Sequence, residues 1–341
     1  MSSENLISVV MPLFYSSSCL QKTLEAFYSI NYPKSRIEII FSYYPSKDST
    51  LEIVEEFKSR HDGEYFGITI LERQEQGVSY GRNLGIRNSG GNYIFLLDDD
   101  IALCSETFKH ALNILERAPE VAVACFPYAS PRPSIFEHAT IFRFEGRVTR
   151  TKTFGTGCVM IRKNVLDEVG LLNERLGYPY SIHEDLELAA RVKKAGYDII
   201  IDGTLIQAHL PKKRKYMLIG NIHDSSASAL RYVVKHWKLY FTSSADSYHA
   251  VLLSAPTAWS LELAMYFFLP LLFIISVTMR YYQIGLLYVM LVLASAMFYW
   301  RAFNLRKLFL VFIVMAGRMA RSYGYITRRI WLKLLRWRRK N

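Results

Sequence analysis

The chain has 341 residues, 51% of them hydrophobic, and a formal net charge of +12. The charge is local: residues 301–341 hold twelve Lys or Arg and no Asp or Glu, which leaves 30 basic against 30 acidic residues before them. A basic run interleaved with Trp331, Leu332, Leu334, Leu335 and Trp337 behind long apolar segments suits an anionic lipid surface rather than nucleic acid. The four cysteines lack CxxC spacing, so neither a zinc site nor a disulfide framework is expected.

The first 210 residues alternate strand-like and helix-like patterns. Apolar runs predict strands at 7–11, stopped by Pro12, and at 37–41, 67–71, 93–97, 121–126 and 158–161. Helical patterns fall at 18–28, 51–57, 79–88 and 184–195, the last ended by Gly196. Such alternation predicts an α/β domain with a mostly parallel sheet covered on both faces. Pro127, Pro131 and Pro133 mark a loop-rich stretch between 127 and 150.

Farther on, 263–279 and 281–300 are free of charge, and a bilayer span needs roughly 20 apolar residues. Two spans are therefore expected within 251–303, after an amphipathic interfacial linker at 213–250 and before a basic interfacial tail at 304–341. The stretch 308–316 is too short to cross and reads as interfacial or re-entrant. Basic residues flank the pair of spans: Lys212, Lys213, Arg214 and Lys215 before, Arg301, Arg306 and Lys307 after. By the positive-inside rule both ends lie on the cytoplasmic side, giving a multi-pass cell-membrane protein with its first domain (1–212) in the cytoplasm. No cleavable signal is expected, since 1–5 is polar.

Asp98, Asp99 and Asp100 close the apolar run 93–97. Three adjacent like charges are tolerated where solvent or a cation compensates them. At the C-terminal edge of a buried strand they would face the crevice where open α/β sheets bind ligands. Oxygen ligands of this kind suit Mg²⁺ or Mn²⁺. The alternative is an acidic turn capping a helix that begins near Ser105.

Further segments frame the triplet: Gly81-Arg82-Asn83-Leu84-Gly85 before it, then Gly155-Thr156-Gly157, His183-Glu184-Asp185 and Ala195-Gly196-Tyr197, and finally His209. In order and spacing, about residues 5–212 resemble the inverting, GT-A-fold glycosyltransferases of family 2 type. Those proteins show a strand ending in Pro, an ARNxG-like helix, FLDDD, a glycine-rich segment, an ED pair opening a helix ended by AGY, and a downstream His. The resemblance implies a GT-A-like catalytic domain at 1–212. Pro12, Asp48, Arg82, Asn83, Asp98 and Asp99 would lie at the donor nucleotide. Asp100, with Asp98 and His209, would hold a divalent cation, Mn²⁺ or Mg²⁺, at the DXD segment. Asp185 would be the general base with Glu184 beside it, and Gly155, Gly157 and His183 would lie on the acceptor side.

One segment departs from the family pattern. Tyr43 and Tyr44 stand where family members carry the acidic residues of a DDGSTDGT-like stretch, and only Asp48 survives. UDP-sugar is the first expectation for the donor and GDP-mannose the second. The expected activity is transfer of a sugar from a nucleotide-sugar to a lipid-linked or glycan acceptor at the membrane lipids, in glycan biosynthesis. A QxxRW segment, usual in processive synthases, is missing after Gln207. The competing readings are a non-catalytic sugar-nucleotide binding module and a metal-dependent nucleotidyltransferase.

Overall fold

In the computed structural model, the described residues are 5–131, 133, 140, 141, 143–174, 176 and 184–210. The chain divides into two units, Met1–Met217 and Leu218–Asn341. All described residues belong to the first. The linker, spans and tail expected at 213–341 lie outside them, as does His183. Among the described residues no helix is long and apolar enough to cross a membrane.

Four strands, β1 (Ile7–Leu13), β2 (Ile37–Tyr43), β3 (Gly67–Glu72) and β4 (Tyr93–Leu97), pair in parallel. They are joined through α1 (Leu20–Glu25), α2 (Thr50–Arg60) and α3 (Val78–Arg87). The chain then makes β5 (Ile101–Ala102), α4 (Thr107–Arg117), β6 (Val121–Cys125), β7 (Tyr128–Ala129), β8 (Val148–Thr151) and β9 (Cys158–Arg162). It continues with α5 (Lys163–Val169), α6 (Glu184–Lys194), β10 (Asp198–Asp202) and β11 (Gln207–His209). The main sheet runs β3-β2-β1-β4-β9-β6-β10-β8, and β5-β11-β7 form a second, small sheet.

Period-two alternation divides the core. Ile7, Val9, Met11, Phe41, Phe95 and Leu97 pack on one face, with Phe27 and Phe108 from the helical segments. Val10, Ile94, Leu96, Val159 and Ile161 face the other side, with Ile86, Val165, Leu188 and Val192. Each large apolar side chain taken fully out of water contributes about 1.5–3 kcal/mol. Phe95 meets Phe108 edge to face at 5.0 Å. Helix α3 approaches β1 closely because Gly85 lacks a side chain; a Cβ there would overlap Val10 Cγ1.

Two expectations are corrected. The first strand does not stop at Pro12 but runs through Leu13. Tyr44 N–H donates to Leu13 O, so Leu13 faces β2 and Pro12 faces the opposite side. There β4 pairs only with Ile7–Val10, and the missing proline N–H costs no ladder bond. The described part of the stretch between 127 and 150 is also less irregular than expected. It contains β7 and β8, and β8 pairs antiparallel with β10 at the sheet's edge.

Candidate active site

β1, β2 and β4 end at one edge of the sheet, and the site is built there. Strand β9 runs antiparallel to β4, so its beginning lies beside β4's end: Leu97 pairs with Cys158, and Asp98 N–H donates to Gly157 O at 2.8 Å. The three aspartates form a turn into β5, with Ile101 N–H donating to Asp98 O at 3.2 Å. Thr23 Oγ1 donates to Asp99 O at 2.8 Å, and Leu210 N–H to Asp100 O at 2.7 Å. The triplet does not cap α4, which begins at Thr107 without any side-chain cap. Asp99 and Asp100 are buried, while the Asp98 side chain is 32% exposed.

Arg82 of α3 is the hub. Its side chain is 3% exposed and meets Asp98 Oδ1 at 2.6 Å and Glu184 Oε1 at 3.3 Å. Burial opposes its charge, but Asp98 and Glu184 outweigh that and hold the guanidinium above its ordinary pKa. It ties the end of β4 to the start of α6. A charge this buried needs a partner, and two carboxylates supply it.

Helix α6 opens with Glu184 and Asp185, where a helix N-terminus favours negative charge. Glu184 is buried against Arg82, while Asp185 is partly exposed and accepts from Leu186 N–H at 2.7 Å. Burial, reinforced by the charge of Glu184, pushes the Asp185 carboxyl up to about 7 against Leu186 N–H and Arg82. The two adjacent carboxylates thus have different partners.

Other expected residues have structural tasks. Asn83 donates to Leu172 O and Glu174 Oε1, both at 2.8 Å, and accepts from Leu172 N–H at 3.0 Å. Its amide is therefore committed to the loop after α5, which Arg191 of α6 also holds by bonds to Val169 O, Gly170 O and Leu171 O. Asp48 accepts from Ser17 N–H, Ser46 Oγ and Thr50 Oγ1, joining the loops after β1 and β2. Burial works against ionisation of Asp48, but these hydrogen bonds prevail and lower its pKa. Nearby, Tyr44 packs edge-on to Phe14 at 5.3 Å, and the Arg73 guanidinium lies 5.4 Å from the Tyr44 ring centre.

Gly157 packs against the aspartate turn: a Cβ there would sit 2.7 Å from Asp98 Oδ2. A Cβ on Gly155 would meet only Tyr128 Oη, at 4.0 Å. His209 ends β11 with Nε2 3.5 Å from Asp100 Oδ2. Tyr128, not anticipated from the sequence, packs its ring edge-on to His209 at 5.3 Å. Burial first, then the charges of Asp98, Asp100 and Asp185, push its phenol far up, so the hydroxyl keeps its proton.

Residues 8–170 match the model of glycosyl transferase family 2. They are a glycosyl transferase family 2 domain. A similar relative is Glycosyltransferase AglE of Haloferax volcanii, 23% identical over 212 residues that cover 60% of this chain and 66% of the relative. A transferase of Methanococcus voltae named for dolichyl N-acetyl-alpha-D-glucosaminyl phosphate is 32% identical over 92 residues, 27% of this chain and 28% of its own length. The chain thus spans less than two thirds of either relative. Among solved structures, the fold is similar to the mannosyltransferase PcManGT from Pyrobaculum calidifontis in complex with GDP-Man and Mn²⁺. The TM-score is 0.55 at 16% identity, over 94% of this chain and 87% of that one. The fold is therefore GT-A-like. The matched family 2 span carries Arg82, the aspartates and both glycines; Glu184, Asp185 and His209 lie beyond it.

The fold family implies a divalent cation, and the donors at the triplet can be tested for it. Asp100 and His209 supply one carboxylate and one imidazole within 3.5 Å of each other. Asp98, expected as a third ligand, is held by Arg82. Among the described residues no group of three or more His, Cys, Asp or Glu could hold a metal ion. Two protein donors still fit, because such cations usually take one or two carboxylates and complete their shell with water and substrate phosphates.

Proposed function

We propose that the chain is an inverting glycosyltransferase that moves a sugar from a nucleotide-sugar to a lipid-linked acceptor at the cytoplasmic face of a membrane. The observation that carries this reading is the bridge Asp98–Arg82–Glu184, which holds the aspartate turn and the base helix to a single guanidinium. Inversion needs a leaving group on one face of the anomeric carbon and a base on the other. Asp185 accepts the acceptor hydroxyl's proton as its oxygen attacks C1, and the bond from C1 to the diphosphate breaks with its electron pair on the departing oxygen. Raised to about 7, the Asp185 carboxyl is poised near neutral pH for this task.

Glu184 holds Arg82, and Arg82 orients Asp98 toward the donor. Asp100 and His209 are the residues that would hold Mn²⁺ or Mg²⁺. When bound, the cation neutralises the diphosphate and acts as a Lewis acid on the leaving group. UDP-sugar is the first donor to try and GDP-mannose the second. A lipid-linked acceptor accords with the apolar segments and basic tail after residue 250, and with the dolichyl phosphate in the name of the M. voltae relative.

The test is a donor screen on the full chain with Mn²⁺ or Mg²⁺, following nucleoside diphosphate release with a membrane lipid extract as acceptor. Metal-dependent release is expected, with an inverted linkage in the product. Asp185→Asn should retain donor and metal binding and lose transfer by about 10²–10⁴-fold. Turnover undiminished in that variant sinks the base assignment.

A further inference from the structure

Tyr128 lies where no sequence motif pointed. Its strand, β7, pairs in parallel with β11, with Tyr128 opposite Gln207, so backbone pairing fixes its position at the site's edge. Its ring rests on His209, which in turn reaches Asp100. The hydroxyl faces the glycine segment, 4.0 Å from where a Gly155 Cβ would be, and Gly157, two residues on, packs against Asp98. Among the described residues this hydroxyl makes no hydrogen bond. It therefore remains available on the side where glycines keep the wall open. The charges of Asp98, Asp100 and Asp185 all act on this phenol.

This arrangement has a stereochemical meaning that rests on the function proposed above. In an inverting displacement the leaving diphosphate and the base occupy opposite faces of the anomeric carbon. A hydroxyl that faces the glycine segment beside the aspartate turn lies on the wall that the sugar ring would pass. A neutral hydroxyl suits that place, because its neighbours are carboxylates that can only accept hydrogen bonds when ionised. We propose that Tyr128 contacts the transferring sugar, its hydroxyl donating a hydrogen bond to a ring substituent while its ring braces His209. The proposed contact is to the sugar alone.

Tyr128→Phe keeps the ring on His209 and removes only the hydroxyl. Titration calorimetry on the full chain with Mn²⁺ compares the free nucleoside diphosphate with the nucleotide-sugar found active in the donor screen, alongside kcat and KM for that donor. A lost neutral hydrogen bond predicts kcat/KM lower by about 10-fold. Affinity for the nucleotide-sugar should drop while that for the nucleoside diphosphate stays within about two-fold, and the melting temperature should be unchanged. Equal weakening of both ligands moves the contact to the phosphates and overturns the proposal, as does an unchanged kcat/KM. A wild-type chain that turns over no donor defeats the parent reading and this one together. An active wild type with an indifferent Phe variant defeats only the assignment of Tyr128.

Discussion

Replacing Asp185 by Asn separates what this carboxylate does for transfer from what it costs in stability. Burial and the charge of Glu184 raise its carboxyl from 3.8 to about 7 in the folded chain. The unfolded chain has the ordinary value. Between those two pH values the folded form therefore retains a proton that the unfolded form has released, and stability falls as pH rises. At about 1.4 kcal/mol per pH unit, the interval from 3.8 to about 7 amounts to about 4 kcal/mol. The loss is absent below about pH 4 and complete above about pH 7. Asparagine keeps an oxygen for Leu186 N–H but cannot ionise. The variant should match wild type near pH 4 and exceed it by up to about 4 kcal/mol at pH 8, about 10 °C in Tm for a unit of this size. Thermal melts of both proteins at the two pH values measure the difference. A Tm gap that does not grow with pH, or a variant that melts lower at pH 8, refutes the reasoning.

The same carboxylate should shape the pH–rate profile: kcat/KM rises with an apparent pKa near 7, since only the ionised base accepts a proton. Glu184→Gln removes a charge that raises Asp185, so this limb should move to lower pH; an unmoved limb contradicts the coupling. Gly85→Ala forces a methyl into Val10 and should cost about 1–3 kcal/mol. Gly155→Ala, with only the Tyr128 hydroxyl within 4.0 Å, should melt like wild type, and equal melting of the two variants would disprove the packing argument.

The parallel half of the fold could be read from the sequence because its strands are continuous apolar runs bounded by turn residues, and 93–97 was right to the residue. β8 escaped because Val148-Thr149-Arg150-Thr151 is a half-exposed edge strand whose partner, β10, lies some fifty residues on. The triplet, the carboxylate pair and His209 were visible as motifs, yet their partners were not. Nothing near Arg82 in the chain announces Glu184, 102 residues away. A charged residue in an ARNxG-like helix therefore read as a ligand contact, and its bridge between two elements was not legible. The same holds for Asn83, whose partner Leu172 is 89 residues distant. Tyr128 carried a single signal, an aromatic residue just past a buried strand, and Pro127 beside it made the stretch look like an ordinary loop.

The small β5-β11-β7 sheet has a consequence for how the molecule is made. Gln207 accepts hydrogen bonds from Cys104 N–H and Thr107 Oγ1, 103 and 100 residues earlier, and the same strand brings His209 to Asp100. Contacts of such separation carry the largest loop-closure cost and are the slowest to find. On a ribosome the first four strands emerge and can pair long before residue 207 exists. The approach of His209 to Asp100 therefore waits for a strand made long after the aspartate turn itself.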